Sequence, residues 1–198
     1  MSNELLLRNR QRTRKIDLRL LRRVAVHLLE ELLHLEFEIG VTLVNSWEMS
    51  RINERYLRHA GSTDVITFNY SEQGSPSLDP AELQFEASLP PHPNPLPRGE
   101  GAAVGAVSEQ AHVEASSHLF GDIYICVDEA VIQSKRFGTS WQEEIVRYSV
   151  HGILHLAGYD DRNARLRKSM KRVEDKLVAE LTAHFPLLAR SRVHRRHG

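Results

Sequence analysis

Two spacings of apolar residues divide the N-terminal part of the chain into helices and strands. After Asp17 they recur every three or four residues as far as Leu32, which predicts a long amphipathic helix capped by the aspartate. Alternation over residues 37–45 predicts a strand with one buried face. Residues 46–57 then indicate a short helix, and the apolar run 63–68 predicts a second strand.

The same two spacings return in the C-terminal half. Residues 120–127 have the composition of a buried strand, and Asp128 is expected to cap the helix that follows. Ser140 is expected to cap a second helix, which ends before Gly158, and a third helix covers residues 163–184. This order of helices and strands predicts one α/β (α+β) domain built around a small sheet.

Residues 71–118 break both patterns. They hold seven of the eight prolines and a tract rich in glycine and alanine, a composition that neither packs a core nor keeps helical backbone angles. We therefore expect a disordered insertion over 71–118 that separates the two parts of a single domain, 1–70 and 119–185. Residues 186–198 are expected to form a basic tail.

Composition restricts the class of protein. Hydrophobic residues make up 41% of the chain and charged residues 26%, as in an ordinary globular domain, and no apolar run is long enough to span a bilayer. The N-terminus lacks the order of segments that defines a signal peptide, so the expected location is the cytoplasm. The single cysteine, Cys126, excludes an internal disulfide and any metal site with several cysteines, and it suits a small core residue.

The formal net charge of zero conceals a basic domain. The insertion holds seven acidic residues and one basic residue, so the rest of the chain has 25 basic and 19 acidic residues, an excess of about six positive charges. Arginine clusters lie at residues 8–15 and 190–196. Such clusters attract polyanions such as nucleic acids, but the same composition also occurs on solvated surfaces that bind nothing.

The most informative segment begins at His151. His155 lies four residues later on the same predicted helix, so both imidazoles project from one face. Gly158 lets the chain leave the helix sharply, and Asp161 follows at the spacing H-x-x-x-H-x-x-G-x-x-[H/D] of the metzincin metal site. Two histidines and a carboxylate leave a fourth position for water, as in catalytic zinc sites. We expect one Zn²⁺ per chain on this zincin-like helix, although the same ligands also suit nickel, iron or manganese.

One residue of this segment argues against a protease. Zincin proteases place glutamate directly after the first histidine, where it acts as general base on the metal-bound water. Gly152 occupies that position here. An RNA substrate demands less of the protein, because its own 2′-hydroxyl is a nucleophile.

The segment also resembles a known family. It is similar to the signature of the YbeY endoribonucleases and reads His151-Gly-x-Leu-His155-Leu-x-Gly158-Tyr159-Asp160-Asp161. Further similar stretches are Asn9–Arg10–Gln11, Val44–Asn45, Asn53 with Tyr56, residues 63–68 and residues 121–126. The resemblance covers roughly residues 5–70 and 119–180.

This resemblance implies a bacterial, cytoplasmic protein with a compact α/β fold, in which helices pack on a small mixed sheet and a zinc site lies at one end of a basic cleft. It implies a single-strand-specific endoribonuclease that takes part in 3′-end maturation of small-subunit (16S) ribosomal RNA and in ribosome quality control. The expected partners are ribosomal RNA and the small ribosomal subunit, and neither DNA nor a membrane.

The chain departs from the family pattern at three places. The third metal ligand is Asp161, where the family usually has histidine. The arginine that normally follows the aromatic residue at position 56 is Leu57, and Arg58, one residue later, is the candidate catalytic residue in its place. The insertion has no family equivalent.

Two other functions are compatible with the same metal site. A zinc peptidase would need another base, for which Asp160 is the nearest carboxylate. A non-catalytic ribosome-assembly factor would use the metal only to fix the chain after the helix. The endoribonuclease hypothesis predicts chelator-sensitive cleavage of single-stranded ribosomal RNA, which neither alternative does.

Overall fold

The computed structural model describes residues 3–33, 36–70, 85–88 and 118–186. A π-helical segment, His27–Leu32, continues the first helix. The strands and helices are β1 (Glu4–Asn9), α1 (Leu18–Val26), β2 (Glu36–Val44), α2 (Ser46–Leu57), β3 (Val65–Asn69), β4 (Phe85–Ser88), β5 (His118–Cys126), α3 (Val127–Phe137), α4 (Trp141–Leu156) and α5 (Ala164–His184).

The strands form one mixed sheet in the order β1-β2-β5-β3-β4. Strands β1, β2 and β5 are parallel, whereas β3 is antiparallel to both of its neighbours. The prediction of an α/β fold with a small mixed sheet is confirmed. Strand β1 is absent from the order of elements expected from the sequence, because three consecutive leucines between charged residues show no alternation; its partner β2 defines its position.

The two faces of the sheet carry different layers. The main core lies on one face, where α1 and α4 pack against the sheet, α5 packs on α4, and Gly152 of α4 lies beside Ile123 of β5. Helix α2 lies on the other face, over a smaller cluster that includes Met49, Ile66 and the buried Cys126. Alternate residues of β5 therefore serve two separate layers, and Cys126 is a core residue as its chemistry predicted.

The predicted helix caps are confirmed at Asp17 and Ser140 and wrong at Asp128. Asp17 accepts hydrogen bonds from the backbone N–H groups of the first turn of α1, and Ser140 accepts one from Glu143. Helix α3 begins two residues earlier than expected, at Val127, with Cys126 at its N-cap. The Asp128 carboxylate accepts hydrogen bonds from the Ser46 backbone N–H and the Thr13 hydroxyl instead. A partner distant in the sequence thus outweighs the local capping pattern.

The expected insertion and tail lie mostly outside the described residues. Within 71–118 the structure describes only His118, the first residue of β5, and strand β4, which pairs with β3 and was not expected. The disorder predicted for 71–118 and the basic tail at 186–198 otherwise fall on residues that are not described, apart from Pro186. No helix in the described part of the chain has the length and apolar character to cross a membrane.

Candidate metal centre

Three side chains converge at the C-terminal end of α4. His151 and His155 lie one helical turn apart, and Asp161 reaches them from the segment after the helix. One ligand atom from each residue lies within 4.8 Å of the other two. The structure therefore brings together the three ligands inferred from the sequence, although their metal binding stays a prediction.

The turn after α4 is what directs Asp161 back to the histidines. The Gly158 N–H donates to the His155 carbonyl at 3.0 Å, and the Tyr159 N–H donates to the Leu154 carbonyl at 2.9 Å. Together these bonds form a Schellman motif, which requires a left-handed residue just past the helix. Gly158 supplies it with φ of 88°. The glycine in the sequence pattern is thus the residue whose left-handed backbone turns the chain back after α4.

Hydrogen bonds place a proton on Nδ1 of both imidazoles. His155 Nδ1 lies 3.0 Å from the Tyr159 carbonyl oxygen, which can only accept, so this nitrogen carries the proton. His151 Nδ1 lies 2.9 Å from Glu174 Oε2 and likewise donates to the carboxylate. In the neutral rings both Nε2 atoms then present lone pairs, which is the form that binds a metal.

The separation of these lone pairs fits a shared cation. The two Nε2 atoms are 2.9 Å apart, close to the spacing of about 3.3 Å expected for two nitrogens bound at 2.0–2.1 Å to one tetrahedral ion. Two bare lone pairs facing each other at this distance repel, so the two nitrogens either share a proton or bind one cation. Each histidine is only 9% exposed, so water has little access to either Nε2 atom. The donor set of two nitrogens and one carboxylate suits a divalent metal.

Glu174 of α5 completes the site, and sequence reasoning missed it. It accepts hydrogen bonds from His151, Arg147 and Lys171. Burial acts to raise the pKa of Glu174, but the hydrogen bonds and charges of His151 and Lys171 outweigh it and lower the pKa to about 2. The carboxylate is therefore ionised and orients His151. The indication in the sequence is the position of Glu174, a charged residue on the buried face of α5 between Met170 and Leu177.

Gly152 leaves no room for the protease base. A Cβ atom at this position would lie 2.8 Å from Ile123 Cγ2 and 3.1 Å from Thr67 Oγ1, so even alanine is crowded. A glutamate would have to displace the side chains of Ile123 and Thr67. Asp160, the other candidate base for a peptidase, accepts hydrogen bonds from the backbone and side chain of Arg162.

A second buried carboxylate lies near the histidines. Asp64 accepts hydrogen bonds from the Thr63 hydroxyl and the Val65 N–H. Burial raises the pKa of Asp64 to about 6, and the charge of His151 is the strongest influence that lowers it. Sequence reasoning placed this residue in a strand and assigned it no role. A positive charge at the metal centre therefore favours the ionised form of Asp64.

Arg58, the candidate catalytic residue, ends helix α2. It is exposed and has left-handed backbone angles of φ 58° and ψ 26°. Leu57, at the position of the family's arginine, packs instead against the small cluster beneath α2. Within the described residues, no hydrogen bond or ion pair joins Arg58 to the three ligands. Its catalytic role therefore stays a prediction.

Comparisons with known proteins find relatives that are similar in sequence along most of this chain. The protein named Endoribonuclease YbeY from Salinibacter ruber is 28% identical to this chain over 84% of both chains. The protein of the same name from Chlorobium luteolum is also 28% identical, over 85% of this chain and 91% of the relative. The protein of that name from Staphylococcus epidermidis is 30% identical over 76% of this chain and 77% of its own.

The fold has a counterpart among solved structures. The solution structure of TM1509 from Thermotoga maritima matches with a TM-score of 0.54 and 16% identity, over 93% of both chains, which supports the fold alone. The family model described as Endoribonuclease YbeY matches residues 6–182. That match spans both parts of the domain and includes all three candidate ligands, so this chain belongs to the endoribonuclease YbeY family.

Proposed function

We propose that this protein is a single-strand-specific, metal-dependent endoribonuclease that matures the 3′ end of 16S ribosomal RNA and serves ribosome quality control. The observation that carries the proposal is the convergence of His151, His155 and Asp161, within 4.8 Å, in a member of this family. The proposed partners are ribosomal RNA and the small ribosomal subunit in the cytoplasm. The excess of positive charge outside the insertion supports an RNA substrate.

We further propose Zn²⁺ as the metal, held by the same three residues. Bound there, zinc would supply Lewis-acid polarisation of a phosphoryl oxygen and lower the pKa of bound water toward about 7. The chain's own residues prepare the ligands. Glu174 and the Tyr159 carbonyl hold the Nδ1 protons of the two histidines, which directs both Nε2 lone pairs to one point.

Arg58 is proposed to contact the phosphate that is cleaved. Two observations support this assignment: the side chain is exposed, and the segment that follows leads directly to Asp64, on which the charge of His151 acts. Asn53 ties that segment to α2 by donating a hydrogen bond to the Gly61 carbonyl at 2.9 Å. A guanidinium on a held turn can neutralise phosphate charge as it develops.

Residues 1–70 and 119–185 are proposed to act as one catalytic domain. The family match covers both parts, and strands β3 and β5, one from each part, are hydrogen-bonded neighbours. The proposed disordered insertion 71–118 and basic tail 186–198 are accessory to that domain.

Cleavage of single-stranded ribosomal RNA by purified protein tests the proposal. Wild type is expected to cleave with a metal and to stop when a chelator is added, and His155→Ala is expected to be inactive. His184→Gln is a matched control, because His184 is exposed near the end of α5 and is not part of the metal site. Full activity of His155→Ala, or cleavage that a chelator does not affect, would contradict the proposal.

A further inference from the structure

We propose that the outer face of α2 is a second binding surface for single-stranded RNA, on the side of the sheet away from the metal centre. In this proposal, which rests on the proposed function, a base stacks on Trp47 while Arg51, Arg55 and Arg10 contact the neighbouring phosphates. We call these four residues the α2 surface. It would hold RNA that extends beyond the cleavage site.

Trp47 is the first sign that this face binds something. Its side chain is 66% exposed, the highest value among the large hydrophobic residues that the structure describes. The helix itself does not need it, since Met49 and Asn53 form the buried face of α2. A tryptophan held on a helix exterior offers a rigid, flat surface, which is the feature that single-stranded nucleic acids use for base stacking.

The arginines around Trp47 are arranged for phosphate binding. The Arg51 guanidinium carbon lies 4.9 Å from the Trp47 ring centroid, and that of Arg55 lies 5.5 Å from the Tyr56 ring. Neither Arg51 nor Arg55 forms an ion pair with a carboxylate in the described part of the chain. Their charge therefore stays available to a ligand, and planar guanidinium groups beside aromatic rings are typical of sites for single-stranded RNA.

A pocket of about 580 Å³ joins these residues into one surface. Arg10 enters it from the segment after β1 and makes an ion pair with Glu48 at 2.9 Å. Tyr124 of β5 also lines the pocket. The basic N-terminal cluster noted in the sequence thus contributes to the same face as Trp47. Three arginines and two glutamates, Glu48 and Glu54, line the pocket, so the net charge of its lining is positive.

The α2 surface is separate from the metal centre. Helix α2 packs through Met49 over Ile66 and Cys126 on one face of the sheet. Helix α4, which carries both histidines, packs on the opposite face through Gly152. Contacts at the α2 surface are therefore expected to add affinity for long substrates without changing the chemical step.

Binding to protein that lacks the metal site tests this inference independently of catalysis. In a His155→Ala background, a single-stranded oligouridylate is expected to quench the fluorescence of Trp47, one of the two tryptophans. Trp47→Leu and the double variant Arg51→Gln/Arg55→Gln are each expected to weaken binding about tenfold. The arginine variant is also expected to reduce the dependence of affinity on salt. A short duplex DNA is expected to bind less tightly, since its bases cannot stack on a side chain.

Phe137→Leu is a matched control, because Phe137 is 52% exposed on α3 and also has an arginine, Arg136, 5.5 Å from its ring centroid. Oligouridylate affinity that is unchanged in both α2 variants, or reduced equally by Phe137→Leu, would overturn the inference. So would binding of the surface only to an acidic protein. In active enzyme, Trp47→Leu is expected to raise KM for long RNA and leave kcat unchanged. If no RNA is cleaved at all, the proposed function fails while the binding result still decides this inference.

Discussion

Glu174 Oε2 lies 2.9 Å from Nδ1 of His151, so a carboxylate on α5 determines which nitrogen of a histidine on α4 faces the metal position. The residues are far apart in the sequence, and both are buried. This carboxylate–histidine pair makes the packing of two helices part of the metal centre.

Glu174→Gln is expected to weaken metal binding about 10- to 100-fold, because the amide keeps the shape but loses the charge that makes His151 a strong ligand. Competition with a chromogenic chelator measures the affinity. Glu180→Gln, on the exposed part of the same helix, is expected to bind metal like wild type. Equal affinities in all three proteins would show that Glu174 only stabilises the fold.

Replacing Asp161 tests the third ligand. Asp161→Ala is expected to reduce metal affinity strongly, whereas Asp161→His is expected to retain binding, because imidazole is also a zinc ligand. Isothermal titration of metal-free protein measures both. Asp160→Asn is the neighbouring control, since that carboxylate bonds to Arg162. A larger loss of affinity in the control than in Asp161→Ala would refute the assignment.

Asp64→Asn is expected to change how stability depends on pH. The folded-state pKa of Asp64, about 6, lies above the ordinary value of 3.8, so its contribution to stability is fully present below pH 3.8 and is lost as pH rises through 6. Asparagine cannot ionise. In metal-free protein the variant should therefore be more stable than wild type at pH 8, by up to about 3 kcal/mol, with the difference shrinking toward pH 5. Denaturant titrations at the two pH values measure it, and a gap that widens toward pH 5 would contradict the argument.

Gly152→Ala is expected to destabilise the fold by about 1–3 kcal/mol, because the new methyl group would meet Ile123 at 2.8 Å. In an Ile123→Ala background the same change should cost much less, since the space is then open. A double-mutant cycle by urea unfolding measures this coupling. Identical costs in both backgrounds would mean that the glycine has another purpose.

The sequence predicts local structure well and distant partners poorly. The bounds of α2 and the caps at Asp17 and Ser140 depend on neighbouring residues, and the structure confirms them. The three ligands of the metal centre could be inferred because helix geometry and one glycine turn relate them. Asp128 was misassigned because its hydrogen-bond partners, Thr13 and Ser46, lie more than eighty positions away.

Two further features could not be inferred from the sequence for the same reason. Strand β1 is defined by pairing with β2 and has no alternation of its own. Glu174 was missed because nothing near it in the chain indicates a histidine partner. In both cases the deciding contact forms only when separate elements pack.

The path of the chain between β3 and β5 has a consequence for the evolution of this domain. Tyr70 donates its backbone N–H to the Phe120 carbonyl at 2.7 Å, and its hydroxyl donates to Asp122 at 3.0 Å. Tyr70, the last described residue of the first part of the domain, is thus bonded to two residues of β5, so connecting segments of very different length can be accepted between these strands at small entropic cost. This junction is therefore a site that tolerates insertions, and a tag or a targeting module inserted there would leave the catalytic architecture intact.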